Sequence, residues 1–207
     1  MKTLLVNGSP HPDGNTATAL AEIAKTLHAE GIETEDFRIG TKPVRGCIAC
    51  GACRASASGR CVFDDDACNA LSAALASADA FVIGSPVYYG QPNGALLALL
   101  QRAFFSNSGA VAGKPAATVA ICRRGGSTAA FQCLNMPLEM LNCPVVTSQY
   151  WNVAFGLEPG EAARDAEGMQ TMRTLARNLA WLLKNLRRDG ALPPPKPEPW
   201  QPMHFIR

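Results

Sequence analysis

A short apolar run, Leu4 to Val6, gives way at once to Asn7-Gly8-Ser9-Pro10-His11-Pro12-Asp13-Gly14-Asn15-Thr16, and a helical pattern begins at Ala17. Strand, polar loop and helix in that order aim the unpaired N–H groups and positive dipole end of a helix at the loop's mouth. That arrangement is an anion site. Gly8 and Gly14 permit tight turns, and Ser9, Asn15 and Thr16 supply short hydroxyl and amide donors. His11 lies in the same loop and joins them as a candidate ligand contact. Two other phosphate loops are excluded. A Walker A loop needs four residues between its glycines and a Gly-Lys-Ser/Thr ending; here five separate Gly8 from Gly14, and no lysine follows. The dinucleotide fingerprint G-x-G-x-x-G is absent too. Neutral donors suit a small phosphomonoester better than a triphosphate. An ordinary strand-to-helix turn with an Asn or Thr N-cap is the plain alternative.

The alternation of strand and helix continues along the chain. After a strand at 3–6, Leu20, Ile23, Ala24 and Leu27 recur at helical spacing, and Gly31 stops that helix. Residues 32–39 read as a second strand, whose carboxylates predict a sheet edge. An irregular cysteine-bearing stretch, 40–61, leads to Asp64-Asp65-Asp66, acids at the start of a helix reaching about 78. Strands are expected at 80–85, 115–122 and 145–150, with helices at 95–104 and 128–141; Pro137 should kink or shorten the latter. A long amphipathic helix at 161–188 carries Met169, Met172, Leu175, Leu179 and Leu183 on one face. From Gly190 the chain is Pro-rich, with Trp200, Met203, Phe205 and Ile206 as apolar anchors that need somewhere to dock. Five strands with intervening helices predict a doubly wound parallel α/β sheet, and the order 2-1-3-4-5 is the natural choice.

In that order, ligands sit where the strand order reverses, so the loops after strands one, three and four should face one another. After strand three, Pro86-Val87-Tyr88-Tyr89-Gly90 combines a rigid proline, two aromatics and a glycine. After strand four, Arg123-Arg124-Gly125-Gly126 combines flexible backbone with two fixed cations. A phosphate cradle, an aromatic wall and a positive or N–H-rich edge are what flavin mononucleotide requires, since reduced flavin carries negative charge near N1 and O2. The candidate contacts are Ser9, His11, Asn15, Thr16, Pro86, Val87, Tyr88, Tyr89, Gly90, Arg123, Gly125 and Gly126.

Val6-Asn7-Gly8-Ser9-Pro10 with Gly14-Asn15-Thr16, followed by Gly84-Ser85-Pro86-Val87-Tyr88-Tyr89-Gly90, resembles the NAD(P)H-dependent FMN reductases of flavodoxin-like fold. Tyr150-Trp151-Asn152 and the closing helix are similar to a bacterial branch of that family. The resemblance implies FMN held by Ser9, Asn15 and Thr16 at its phosphate and by Pro86, Val87, Tyr88 and Tyr89 at its ring. It also implies a homo-oligomer, dimer or tetramer, with FMN near a subunit interface. The 123–126 loop matches in place, although such loops vary widely.

Cys47, Cys50, Cys53 and Cys61 read C-x2-C-x2-C-x7-C, half of the eight cysteines within fifteen residues. Without a signal-peptide pattern, such a cluster points to metal or redox chemistry rather than disulfides. Four thiolates on an irregular loop suit a [4Fe–4S] cluster, and the spacing is similar to the compact motif of iron–sulfur flavoproteins. Bare redox thiols and a zinc site remain open, though the first three cysteines crowd closer than usual zinc spacing. A phosphatase nucleophile is excluded, because six residues rather than five separate Cys53 from Arg60.

The expected division is an FMN-binding domain at 1–189, with a cysteine-rich insertion at 40–63, and a Pro-rich arm at 190–207. The expected activity is an FMN-dependent oxidoreductase of the NAD(P)H-dependent FMN or quinone reductase type. Its donor is NAD(P)H or a reduced carrier, and its acceptor a small molecule or protein. An electron-transfer iron–sulfur flavoprotein or a flavodoxin-like carrier is the alternative; a net charge of +2 speaks against the acidic docking face of a carrier. The same charge, with no basic cluster, argues against nucleic acid. No apolar run approaches the roughly 18 residues that span a bilayer, so no membrane is expected and the location is read as cytoplasmic.

Overall fold

The computed structural model describes residues 1–196, 198–199 and 201–203. Three of the tail's apolar anchors, Trp200, Phe205 and Ile206, lie outside them. The sheet begins with β1 (Lys2–Asn7), crosses through helix α1 (Asn15–Ala29) and returns as β2 (Glu33–Arg38). An irregular stretch carrying the short helix α2 (Ala52–Ser56) precedes α3 (Cys68–Ser77). Next come β3 (Ala80–Tyr88), the two-residue β4 (Gln91–Pro92), α4 (Gly94–Ser106) and the one-turn α5 (Ser108–Val111). Then follow β5 (Ala116–Cys122), α6 (Ser127–Met140), β6 (Val153–Phe155), a 3-10 turn (Glu161–Arg164) and α7 (Ala166–Arg187).

The main sheet is parallel in the order β2-β1-β3-β5-β6, which is the doubly wound flavodoxin-like order. Its inner strands are apolar on both faces because helices cover both. Leu5, Val82 and Val119 pack with α1 and α7, while Leu4, Val6, Phe81 and Ile83 pack with α3 and α4. β2 is the outer strand and is half-exposed, as its carboxylates suggest.

Four boundaries differ from the sequence reading, each for a local reason. β3 runs past 85 to Tyr88 and folds back as a hairpin with β4, its turn made by Tyr89 (φ +51°) and Gly90 (φ +76°). Two successive positive φ values are those of a type I′ turn. The last strand is not 145–150. Val145 makes one bridge to Ala116, and the chain then turns where Ser148 Oγ accepts from Tyr150 N–H and donates to its carbonyl. Pairing with β5 resumes at Val153. α6 runs through Pro137 to Met140, at the cost of one backbone hydrogen bond. Asp165 accepts from Gly168 N–H at 2.9 Å and so starts α7 later than 161.

Among the described residues, no helix is long and apolar enough to cross a membrane.

Gly8 fastens the first loop to the sheet, its N–H donating to Gly84 O at 2.8 Å. A Cβ at Gly8 would stand 2.7 Å from that same carbonyl and would also meet the Leu96 side chain. Backbone cannot yield as a flexible side chain can. Gly8→Ala is therefore expected to destabilise the fold by about 1–3 kcal/mol in urea unfolding, and an unchanged midpoint would contradict the packing described.

Candidate functional site

The C-terminal ends of β1, β3, β5 and β6 open into one cleft of about 530 Å³. It is lined by Ser9, His11, Asn15 and Thr16 from the first loop, Pro86, Val87 and Tyr88 from the end of β3, and Arg123 beyond β5. Eight of the twelve residues anticipated from the sequence thus meet in one place. Tyr89 stands wholly in solvent at the hairpin tip beside Gly90, and neither lines the cleft. Gly125 and Gly126 also lie outside the lining, but Gly126 (φ +89°) is pressed so closely on the hairpin that a Cβ there would come within 2.7 Å of Gly90 Cα. The two loops therefore brace each other.

Each donor at the α1 end is held by a distinct contact. Ser9 N–H donates to Asn7 Oδ1 at 2.9 Å, and Ser9 Oγ accepts from His11 N–H at 3.1 Å, which leaves the hydroxyl hydrogen free to donate. Thr16 lines the cleft and packs its methyl beside Gly84, where a Cβ would approach Cγ2 to 3.0 Å. Asn15 Oδ1 accepts from Ala162 N–H at 2.8 Å, which fixes the amide and leaves its NH₂ end to a ligand. The helix N-cap is Gly14 with no side-chain capping bond. Burial pushes the Tyr88 phenol above its usual range, so it remains a neutral donor.

The cysteine stretch forms a second hollow on the α3–α4 side. Cys47, Cys50, Cys53 and Cys61 all line it, walled by Ile48, Val62, Phe63, Phe105 and Arg102. The chain wraps this hollow through left-handed residues at Ala49 (φ +53°), Gly51 (φ +73°) and Ala57 (φ +48°). The two alanines adopt that conformation at roughly 1 kcal/mol or more each. Ala49 N–H donates to Cys47 Sγ at 3.4 Å, and Arg102 Nε–H to Cys61 Sγ at 3.3 Å. Among the described residues, no group of three or more His, Cys, Asp or Glu side chains is drawn close enough to share one metal ion. Cys68 lies next to Cys61, and burial pushes its thiol up to about 12, so it stays protonated.

The model of the NADPH-dependent FMN reductase family matches residues 1–158, three-quarters of the chain and every strand of the cleft. The chain belongs to that family. An iron-sulfur flavoprotein of Methanocaldococcus jannaschii is 30% identical over 198 residues, covering 91% of this chain and all of that protein. In fold, the chain is similar to RosB with a bound 8-demethyl-8-formylriboflavin-5'-phosphate, at TM-score 0.67 and 15% identity, over 100% of this chain and 98% of that one. A flavodoxin from the domain Archaea is similar at TM-score 0.59 and 14% identity, over 89% of this chain and 99% of that one.

As a member of this family of FMN-binding flavoprotein oxidoreductases, the chain also carries scaffold residues that sequence reasoning passed over. Asn93 donates from Nδ2 to Gly8 O at 2.8 Å, and its N–H donates to Ser85 Oγ at 3.0 Å. Gly156, Leu157 and Pro159 close the cleft beyond β6 and were hidden by the misplaced last strand. Asn69 holds Cys61 on both sides, accepting from its N–H at 2.8 Å and donating to its carbonyl at 3.0 Å.

The aspartate triplet does more than face a helix dipole. Asp64, Asp65 and Asp66 pair with Arg60, Arg45 and Arg102 in turn; the first two pairs brace the cysteine stretch itself and the third ties it to α4. The Arg102–Asp66 pair is buried, with side chains 1% and 2% exposed. Burial alone would raise the Asp66 pKa, but hydrogen bonds from Arg102 and Cys68 N–H hold it below the usual carboxylate range. Its contribution to stability is complete above the unfolded value, near 3.9, and is lost as pH falls through the folded value. From about pH 5 to about pH 2, wild type should lose stability more steeply than Asp66→Asn; parallel melting curves would contradict the pairing.

Proposed function

We propose that this protein is an FMN-dependent oxidoreductase that takes reducing equivalents from NAD(P)H or a reduced carrier and passes them to a second acceptor. The observation that carries this reading is the single cleft at which the β1, β3, β5 and β6 loops converge. Its volume is in the range of small-molecule and cofactor sites. The uncapped N–H groups of α1, with Ser9, His11, Asn15 and Thr16, would hold a phosphomonoester. Pro86, Val87 and Tyr88 would flank the ring, and Arg123 would place a permanent cation at its edge. Bound there, FMN supplies hydride acceptance and one- or two-electron release. The protein's part is to orient the ring, favour its electron-rich state through Arg123 and the backbone, and keep the Tyr88 Oη proton in place as a donor.

A second element of the reading is a cluster in the cysteine hollow. The donor chemistry fits: four thiols line one hollow with apolar walls and two N–H···S bonds, a ligand set that would hold a four-iron cluster. The iron-sulfur flavoprotein name of the 30%-identical relative supports it. When present, such a cluster passes single electrons. Its ligands would be Cys47, Cys50, Cys53 and Cys61. The protein is further read as a homo-oligomer. The exposed Tyr89, Tyr150 and Trp151 give it apolar surface to bury.

Two measurements test the reading. Asn15→Ala and Thr16→Ala should each weaken FMN binding about tenfold in a fluorescence titration, the equivalent of one lost hydrogen bond; unchanged affinity would remove them from the site. With FMN bound and oxygen excluded, the wild type should oxidise NADPH steadily in the presence of a quinone. Reduction by a protein carrier alone would instead support an electron-transfer role.

A further inference from the structure

Among the described residues Arg102 is the largest fully buried side chain, and it does not line the FMN cleft. It stands in the third turn of α4, a helix whose other inward residues are Leu96, Leu99, Leu100, Ala103 and Phe104. An arginine in such company needs a partner for every donor. Nε–H donates to Cys61 Sγ at 3.3 Å, Nη1 to Arg45 O at 3.2 Å and to Asp66 Oδ2, and Nη2 to Phe63 O at 3.1 Å. The guanidinium also lies 5.8 Å from the Phe63 ring centroid. One hydrophobic residue of similar volume could fill this space without the cost of burying a charge pair. The fork instead fixes residues 45, 61, 63 and 66 around the cysteine hollow and directs one N–H at a sulfur.

We infer that Arg102 is a positioning residue for the cysteine site: it orients Cys61 and raises the reduction potential of the group that the four cysteines hold. This rests on the cluster reading above. Reduction adds negative charge to a thiolate-bound cluster, and hydrogen bonds to sulfur and nearby fixed cations favour that state. Asp66 balances the charge of Arg102 but reaches only the Nη1 side, whereas Nε–H meets the sulfur directly. The asymmetry among the four cysteines agrees with this role. Cys47 and Cys50 are exposed and Cys53 and Cys61 half-buried, and of the four it is Cys61 that receives the arginine.

The test uses full-length protein reconstituted anaerobically with iron and sulfide. Removing Arg102 alone would orphan the Asp66 carboxylate and threaten the fold, so the double variant Arg102→Gln/Asp66→Asn is compared with Asp66→Asn and with Arg102→Lys. Iron content, redox potential by spectroscopic titration and melting temperature are read for each. The double variant should retain iron but show a one-electron equilibrium shifted at least tenfold toward the oxidised state, about 59 mV. Arg102→Lys should fall between it and the wild type, and Asp66→Asn should show no downward shift. A potential that stays at the wild-type value in both Arg102 variants, with only their melting temperatures lowered, would make Arg102 a structural residue and overturn the inference. A wild type that takes up no iron would remove the cluster reading, and this inference with it.

Discussion

Asn93 sits where the sheet's order reverses and ties three elements by its own hydrogen bonds. Its Nδ2 reaches Gly8 O in the loop after β1, its N–H reaches Ser85 Oγ in β3, and its Oδ1 caps α4 by accepting from Ala95 N–H. Buried polar groups at a loop crossing are costly unless all are satisfied, and here one amide satisfies most of them. The consequence is geometric. The anion loop and the β3 hairpin cannot shift independently, so the two ends of the cleft keep a fixed separation. α4, started by the same residue, runs nine residues further to Arg102 and the cysteine hollow. At about 1.5 Å per residue, one rigid helix of roughly 13 Å links the two regions.

The two regions nevertheless solve opposite electrostatic problems. The cleft offers neutral donors and a helix N-terminus to an anion, with Arg123 as an exposed cation at its edge. Around the cysteine hollow, charge is abundant but balanced: three arginines face three consecutive aspartates, and the buried Arg102 makes four guanidinium hydrogen bonds. Arg45 also lies over the Phe63 ring, 4.4 Å from its centroid, and Arg54 over Phe105 at 4.3 Å. These cation–ring contacts add to the ion pairs that hold the walls of the hollow. A stretch with little regular structure is thus held by side chains rather than by backbone ladders.

The fold class, the sheet order and the main loop of the cleft were legible because they depend on local patterns. Leu4 to Val6 followed by Gly8 and Ser9, or Ala80 to Ile83 followed by Pro86, announce a buried strand and a turn within ten residues. What failed depended on contacts the sequence does not display. Residues 145–150 have strand-like composition, but the Ser148 turn interrupts them and the real edge strand is three residues, Val153–Phe155. Tyr88 and Tyr89 look equivalent in the sequence, yet the type I′ turn points one at the cleft and the other into solvent. Arg102 reads as the polar position of an amphipathic helix. Its partner Asp66 is 36 residues away, and nothing in either local pattern marks the pair.

The central claim is that this family member builds a flavin cleft and a four-cysteine site on one scaffold. The most direct measurement is the absorption spectrum of protein purified without oxygen, with FMN, iron and acid-labile sulfide assayed on the same sample. The account predicts flavin bands, a broad iron–sulfur shoulder and about four irons per chain. Protein that neither contains nor takes up FMN would contradict the claim outright, and flavin without iron or sulfide after reconstitution would contradict its second half.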